Sequence, residues 1–245
     1  MATRPDSGLA AKTLPEPLYD SLVHVFAQGI SDCMLVGGTA LAGYYAGHRR
    51  SDDLDLFARD TNATRATVLA VESLRTVGVT IEELQNTKQF YSAVCQSRKH
   101  RFAVQVVLDA KLYSVGDAMQ AADGVWVADL ETLLKTKAAT LVSRCSEKDL
   151  YDLKWLFGRF PHLEAGELVP LGAEIDGGMN AESLLISLAG TSLEVSSCEF
   201  APSREASEVC AEIKSLKRLL MSTFERVARK EPTPAVGELI RRLKS

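Results

Sequence analysis

The apolar run Met34-Leu35-Val36 stops at two consecutive glycines, Gly37 and Gly38, and Thr39-Ala40-Leu41-Ala42 follows. A strand that ends in paired glycines lets the backbone approach a ligand closely and adopt φ > 0. A short helix from Thr39 to Ala46 would point its first N–H groups back at the turn, an arrangement that favours phosphate. Downstream stands His48-Arg49-Arg50-Ser51-Asp52-Asp53-Leu54-Asp55-Leu56-Phe57. Side chains i and i+2 of a strand share a face, so Asp53 and Asp55 project together while Leu54 and Leu56 turn inward. Two carboxylates on one face repel unless a cation neutralises them, and Mg²⁺ is commonly held by one or two carboxylates plus substrate phosphates. Asp52 faces away from that pair. A phosphate-cradling turn followed by a paired-carboxylate strand implies metal-assisted phosphoryl or nucleotidyl transfer. Gly38 to Gly43 also has P-loop spacing, but Tyr44 and Tyr45 stand where Lys and Ser/Thr belong, which excludes Walker A.

Composition narrows the class. The chain has 245 residues and is 46% hydrophobic, enough for one large or two modest domains. No apolar run reaches the roughly 18 residues of a membrane span. The N-terminus lacks the apolar stretch of a signal peptide. The cysteines, Cys33, Cys95, Cys145, Cys198 and Cys210, are odd in number and lack zinc spacing. They read as free buried thiols of a cytoplasmic protein. The formal charge of −4 excludes a wholly basic nucleic-acid binder, yet residues 204–245 hold ten Lys/Arg against six Glu, +4, leaving −8 for the rest. A basic tail beside an acidic body suits a polyanion such as RNA, and equally an ordinary solvated helix face.

Along the chain, residues 1–17 are polar with three prolines and read as a flexible tail. Helical spacing spans Leu18 to Gln28. Asn62 to Thr76 reads as a helix with Leu69 and Leu74 inward. Strands are expected at Val79–Leu84, Phe90–Cys95 and Phe102–Leu108, the last two joined by a basic turn from Ser97 to Arg101. Asp129 can cap a helix whose apolar stripe, Leu130, Leu133, Leu134, Ala138 and Leu141, also contains Lys137. A charge there is costly to bury unpaired. Lys137 either snorkels to the edge or reaches a phosphate. Arg144 continues its line. Glu147 to Phe157 is the next helix, with Asp149 and Asp152 on one face. Asn180 can cap a helix to Ala189, Arg204 to Lys230 reads as a long amphipathic helix, and Ala235 to Leu243 as a last short one.

Gly37 to Ala42 followed by His48 to Phe57 resembles the nucleotidyltransferase superfamily of the DNA polymerase beta type. Within it, the pattern is similar to the AbiEii/AbiGii family, which includes MenT-type toxins. Lys137, Arg144 and Lys148-Asp149-Leu150-Tyr151-Asp152-Leu153 resemble the same family's second block. The likeness covers roughly residues 30–160, and no motif marks residues 160–245. The resemblance implies an α/β fold: a mixed sheet flanked by helices over residues 18–125, then a helical domain over 126–245 that completes the site. It implies Asp53 and Asp55 on Mg²⁺ or Mn²⁺, and Gly37, Gly38, Thr39, Arg49, Ser51 and Lys137 on an NTP. For Lys137 it favours phosphate over snorkelling. Asp152 is implied to pair with Lys137 or to position the acceptor hydroxyl, with Asp149 and Arg144 as further candidates. Relatives in the superfamily often add a third carboxylate. Gln105 cannot serve, which leaves Asp109. The implied activity is NMP transfer with release of pyrophosphate, the tRNA 3′ end being the acceptor of MenT relatives, in a cytoplasmic toxin opposed by an antitoxin protein. Two rivals stand beside it: adenylylation of a small molecule or protein, and a non-catalytic relative that binds nucleotide or RNA.

Overall fold

The computed structural model describes residues 4–243. The chain divides into two compact units, the first ending at Leu133 and the second starting at Leu134.

The first unit is built on a seven-stranded mixed sheet, with strands β1 (Cys33–Val36), β2 (Asp53–Ala58), β3 (Thr80–Asn86), β4 (Phe90–Ser97), β5 (His100–Leu108), β6 (Ala118–Gln120) and β7 (Trp126–Ala128) in the order β3-β4-β5-β2-β1-β7-β6. β3, β4 and β5 form an antiparallel meander. β5 runs parallel to β2, β2 antiparallel to β1, and β1 parallel to β7. Its helices are α1 (Ser7–Thr13), α2 (Glu16–Phe26), α3 (Gly37–Leu41), α4 (Thr61–Glu72) and α5 (Ala110–Val115). Alternation decides which face each strand buries: Leu54, Leu56, Val104 and Val106 are fully buried, while Asp53 is exposed and Asp55 half-buried.

The division into units falls inside α6 (Leu130–Ser143), so the strand β7 at 126–128 belongs to the sheet and not to the helical part expected from residue 126. The second unit is helical: the rest of α6, then α7 (Glu147–Arg159), α8 (Leu168–Ala173), α9 (Ala181–Gly190), α10 (Ala206–Ala228) and α11 (Val236–Leu243). Among the described residues no helix is long and apolar enough to cross a membrane. All five cysteines are free and buried.

Two expectations need correction. Residues 1–17 are not a loose tail throughout. Asp6 caps α1 by accepting from the N–H groups of Gly8 and Leu9, and Ala10 and Leu14 are buried. The reason lies on the turn of π-helix that continues α3 from Ala42 to Ala46. A Cβ on Gly43 would stand 2.9 Å from Leu14 Cδ1, so this glycine, the second of the P-loop-like spacing, is a seat for Leu14. Leu69, expected inward, is 63% exposed. α4 buries Thr64, Thr67, Ala70 and Val71 instead. The two threonines satisfy their hydroxyls within the helix, on the carbonyls of Asp60 and Ala63 at 2.8 Å each, and so can be buried without loss.

Candidate active site

In the first unit the glycine turn, the Arg49–Ser51 segment and β2 come together. Gly37 has φ +71°, the left-handed region that an L side chain disfavours. A Cβ there would collide with the Asp55 carboxylate, and one on Gly38 would collide with the Arg49 guanidinium and stand 3.0 Å from Ser51 Oγ. Gly37 is therefore fixed by conformation and by contact, and Gly38 by contact alone. Register places Val36, the last residue before the turn, opposite Asp55. Thr39, fully buried, lies 2.9 Å from Ser51 Oγ and also reaches the Asp53 carbonyl. One hydroxyl has one proton, so Thr39 donates to that carbonyl and accepts from Ser51. This couples the helix start to the base of the carboxylate strand. Arg49 is buried and donates to its neighbour's carbonyl, Arg50 O, at 2.8 Å. Gly37, Gly38, Thr39, Arg49, Ser51, Asp53 and Asp55 thus form one constellation.

Asp109 does not join it. Asp55 pairs in register with Gln105, and Asp109 comes after the strand ends, where its carboxylate accepts from the N–H of Leu112 at 2.8 Å and caps α5. Four residues of strand separate it from Gln105, about 13 Å along the strand. Among the described residues no group of three or more His, Cys, Asp or Glu converges. The two carboxylates still fit a hard cation. They offer oxygen ligands on one face, beside the neutral amide of Gln105, and the missing Cβ of Gly37 leaves room at Asp55. Mg²⁺ takes its remaining ligands from water and phosphate and needs no full protein cage.

In the second unit the lysine among apolar neighbours has its explanation. Lys137 is 4% exposed, and its Nζ stands 2.9 Å from Asp149 Oδ1 and 2.7 Å from Asp152 Oδ2. Asp149 and Asp152 are buried too, because α7 presents them on the face that also holds Leu150, Leu153 and Leu156. Asp149 is further held by Ser146, whose hydroxyl donates at 2.6 Å and whose N–H donates at 3.3 Å in a capping box. Burial is the largest influence on Asp149 and pushes its carboxyl up, but the Lys137 ammonium, the Ser146 hydrogen bond and Arg144 together outweigh it. The group sits below its ordinary value. Arg144 itself is exposed, with Nε 3.9 Å from Asp149 Oδ2, an ion pair of little weight. Ser146 went unnoticed in the sequence, although Ser-x-x-Asp before an apolar run is the signal of a capping box.

A sheet of this topology, with a glycine turn set against an Asp-x-Asp strand, defines a nucleotidyltransferase fold. Solved structures share it: the MenT4 nucleotidyltransferase toxin of Mycobacterium tuberculosis H37Rv aligns with a TM-score of 0.56 at 16% identity, over 98% of this chain and 99% of that one. JHP933 from Helicobacter pylori aligns with a TM-score of 0.50 at 17% identity, over 92% of this chain and 97% of that one. No curated protein matches the chain in sequence. The profile of the family described as nucleotidyl transferase AbiEii toxin, type IV toxin–antitoxin system, matches residues 20–175. The chain belongs to that family, and is by that membership a nucleotidyltransferase.

Proposed function

We propose that the protein moves a nucleoside monophosphate from an NTP to the 3′ hydroxyl of an RNA, with tRNA the first candidate, and that it acts as a cytoplasmic toxin restrained by an antitoxin protein. The observation that carries this reading is the contact of the glycine turn with Asp55 on one side and with Arg49 and Ser51 on the other. It brings the turn's backbone beside a buried guanidinium and the Asp55 carboxylate, which supports a phosphate and cation site there.

In the proposed reaction the acceptor oxygen attacks the α-phosphorus. The bond to the bridging oxygen of the β-phosphate breaks, pyrophosphate leaves, and the hydroxyl proton passes to solvent or base. Gly37, Gly38 and Thr39 cradle the triphosphate and Arg49 offsets its charge. Asp53 and Asp55 would hold Mg²⁺, which when bound supplies charge stabilisation on the phosphates. Asp149 and Asp152 act as positioning residues for the Lys137 ammonium, and of the two roles expected for Asp152 its full burial and 2.7 Å ion pair support the pairing with Lys137.

The test is incubation with each α-radiolabelled NTP, Mg²⁺ and total tRNA, beside Asp53→Ala/Asp55→Ala. Label on tRNA from the wild type alone is the expected result. Label on protein or on a small molecule in place of RNA would move the acceptor to that class. Nucleotide binding with no transfer to any acceptor would sink the catalytic reading.

A further inference from the structure

The basic tail does not act as one patch. Arg226 pairs with Glu231, and Lys230 sits with φ +59° just past the end of α10. Charge gathers elsewhere, in a groove of about 640 Å³ between the Thr191–Leu193 segment and the face of α10 from Ala211 to Met221. Lys214, Lys217 and Arg218 line it, and no Asp or Glu does. Glu212, on the same helix, is committed to Lys154 and Arg204, and Glu194 to the hydroxyl of Ser192. Lys217 is anchored, its Nζ donating to the Thr191 carbonyl at 2.7 Å, and Arg218 leans on Ser215 Oγ at 3.0 Å. Lys214, Lys217 and Arg218 occupy positions i, i+3 and i+4, neighbours on one helix face.

We infer that this groove binds the phosphodiester backbone of an RNA strand, an inference that rests on the RNA-acceptor reading above. Three cations without a carboxylate among them complement a polyanion. No aromatic side chain lines the groove, so bases are not held by stacking and recognition runs through phosphates, with little regard for sequence. An acidic protein partner would need a buried aromatic or aliphatic anchor to bind specifically. The apolar residues here are the buried Leu193, the half-buried Met221 and the single methyl of the exposed Ala211, which form floor rather than socket.

The test measures binding of a fluorescein-labelled RNA hairpin with a single-stranded 3′ tail by anisotropy over a range of salt. Lys214→Glu/Arg218→Glu should weaken binding at least tenfold and flatten the log–log salt slope by about 1.4–1.8, two phosphate contacts' worth. Arg229→Glu/Arg241→Glu, which changes the net charge equally outside the groove, should change affinity less than threefold, and NTP binding should be unaltered in both. Lys214→Gln/Arg218→Gln repeats the measurement with a milder change should the reversal disturb folding. Equal losses in the groove and control variants overturn the assignment. So does wild-type affinity in the groove variants, or a loss confined to a poly-glutamate probe. If the wild type transfers label to RNA and the groove variants do so equally well, the groove fails alone. If the wild type neither binds nor labels RNA, the acceptor reading fails and takes the groove with it.

Discussion

Replacing Lys137 with methionine keeps the length and apolar stem of the side chain and removes the ammonium. Two carboxylates at 2% and 0% exposure then lose the cation that stood 2.9 and 2.7 Å away. Breaking a buried ion pair by removing one partner costs about 3–5 kcal/mol. Asp149 retains the Ser146 hydroxyl, and the exposed Arg144 contributes below about 1 kcal/mol. The lower end, about 3 kcal/mol, is therefore expected at pH 7. For a chain of this size that lowers the melting temperature by about 6–12 °C. The loss depends on pH in a defined direction. In the wild type Asp149 ionises below its ordinary value, so its stabilising contribution is complete above about pH 4 and fades as pH falls through the lowered native value. In Lys137→Met the carboxylates stay buried without a cation, which raises the pH at which they take up protons. The variant therefore regains stability relative to wild type as pH falls from 7 toward 4. Urea unfolding followed by the fluorescence of Trp155 on α7 in a Trp126→Phe background, applied to both proteins, gives the comparison at pH 7 and pH 5. A loss under about 1 kcal/mol, or a deficit as large at pH 5 as at pH 7, would refute the buried ion triad.

Gly37→Ala should lose transfer by about 10²-fold, since the left-handed backbone and the collision with Asp55 must both be relieved by displacing the carboxylate. Single-turnover labelling measures it, and a melting temperature near wild type separates a displaced site from an unfolded one. Thr39→Val should lower stability by about 1–3 kcal/mol, because the Asp53 carbonyl and the Ser51 hydroxyl lose their buried partner; urea titration reads this directly. Asp109→Ala should cost about 1 kcal/mol through the lost cap of α5 while leaving the Mg²⁺ dependence of transfer unchanged. A higher Mg²⁺ requirement in that variant would return Asp109 to the metal site.

The features visible in the sequence were those with a local cause. Period-two alternation puts Asp53 and Asp55 on one face, and the stop of an apolar run at Gly37 marks the end of β1. Lys137 announced a hidden partner simply by standing in an apolar stripe. Which carboxylate would answer it, and that two would, depends on how α6 and α7 pack, and no local pattern carries that. The same holds for α1, whose burial needs the bare surface of Gly43, and for Leu69, displaced by threonines that satisfy their own hydroxyls. β6 and β7 are three residues each, too short for propensity to declare, and exist because β1 offers an edge. Asp109 stands away from Asp55 because the β2–β5 register, which no local pattern declares, sets Gln105 beside it.

The parallel pairing of Leu35 with Val127 also has a consequence in time. The strand that carries the glycine turn leaves the ribosome before one of its two neighbours, which is made only after a long stretch of further chain. At elongation rates of about 5–20 residues per second, synthesis from Leu35 to Val127 takes about 5–18 s. Throughout that interval the turn has no finished sheet behind it. A nascent copy thus carries Asp53, Asp55 and both glycines well before the framework that aligns them is closed, and a translating cell meets each new molecule first as an unassembled one.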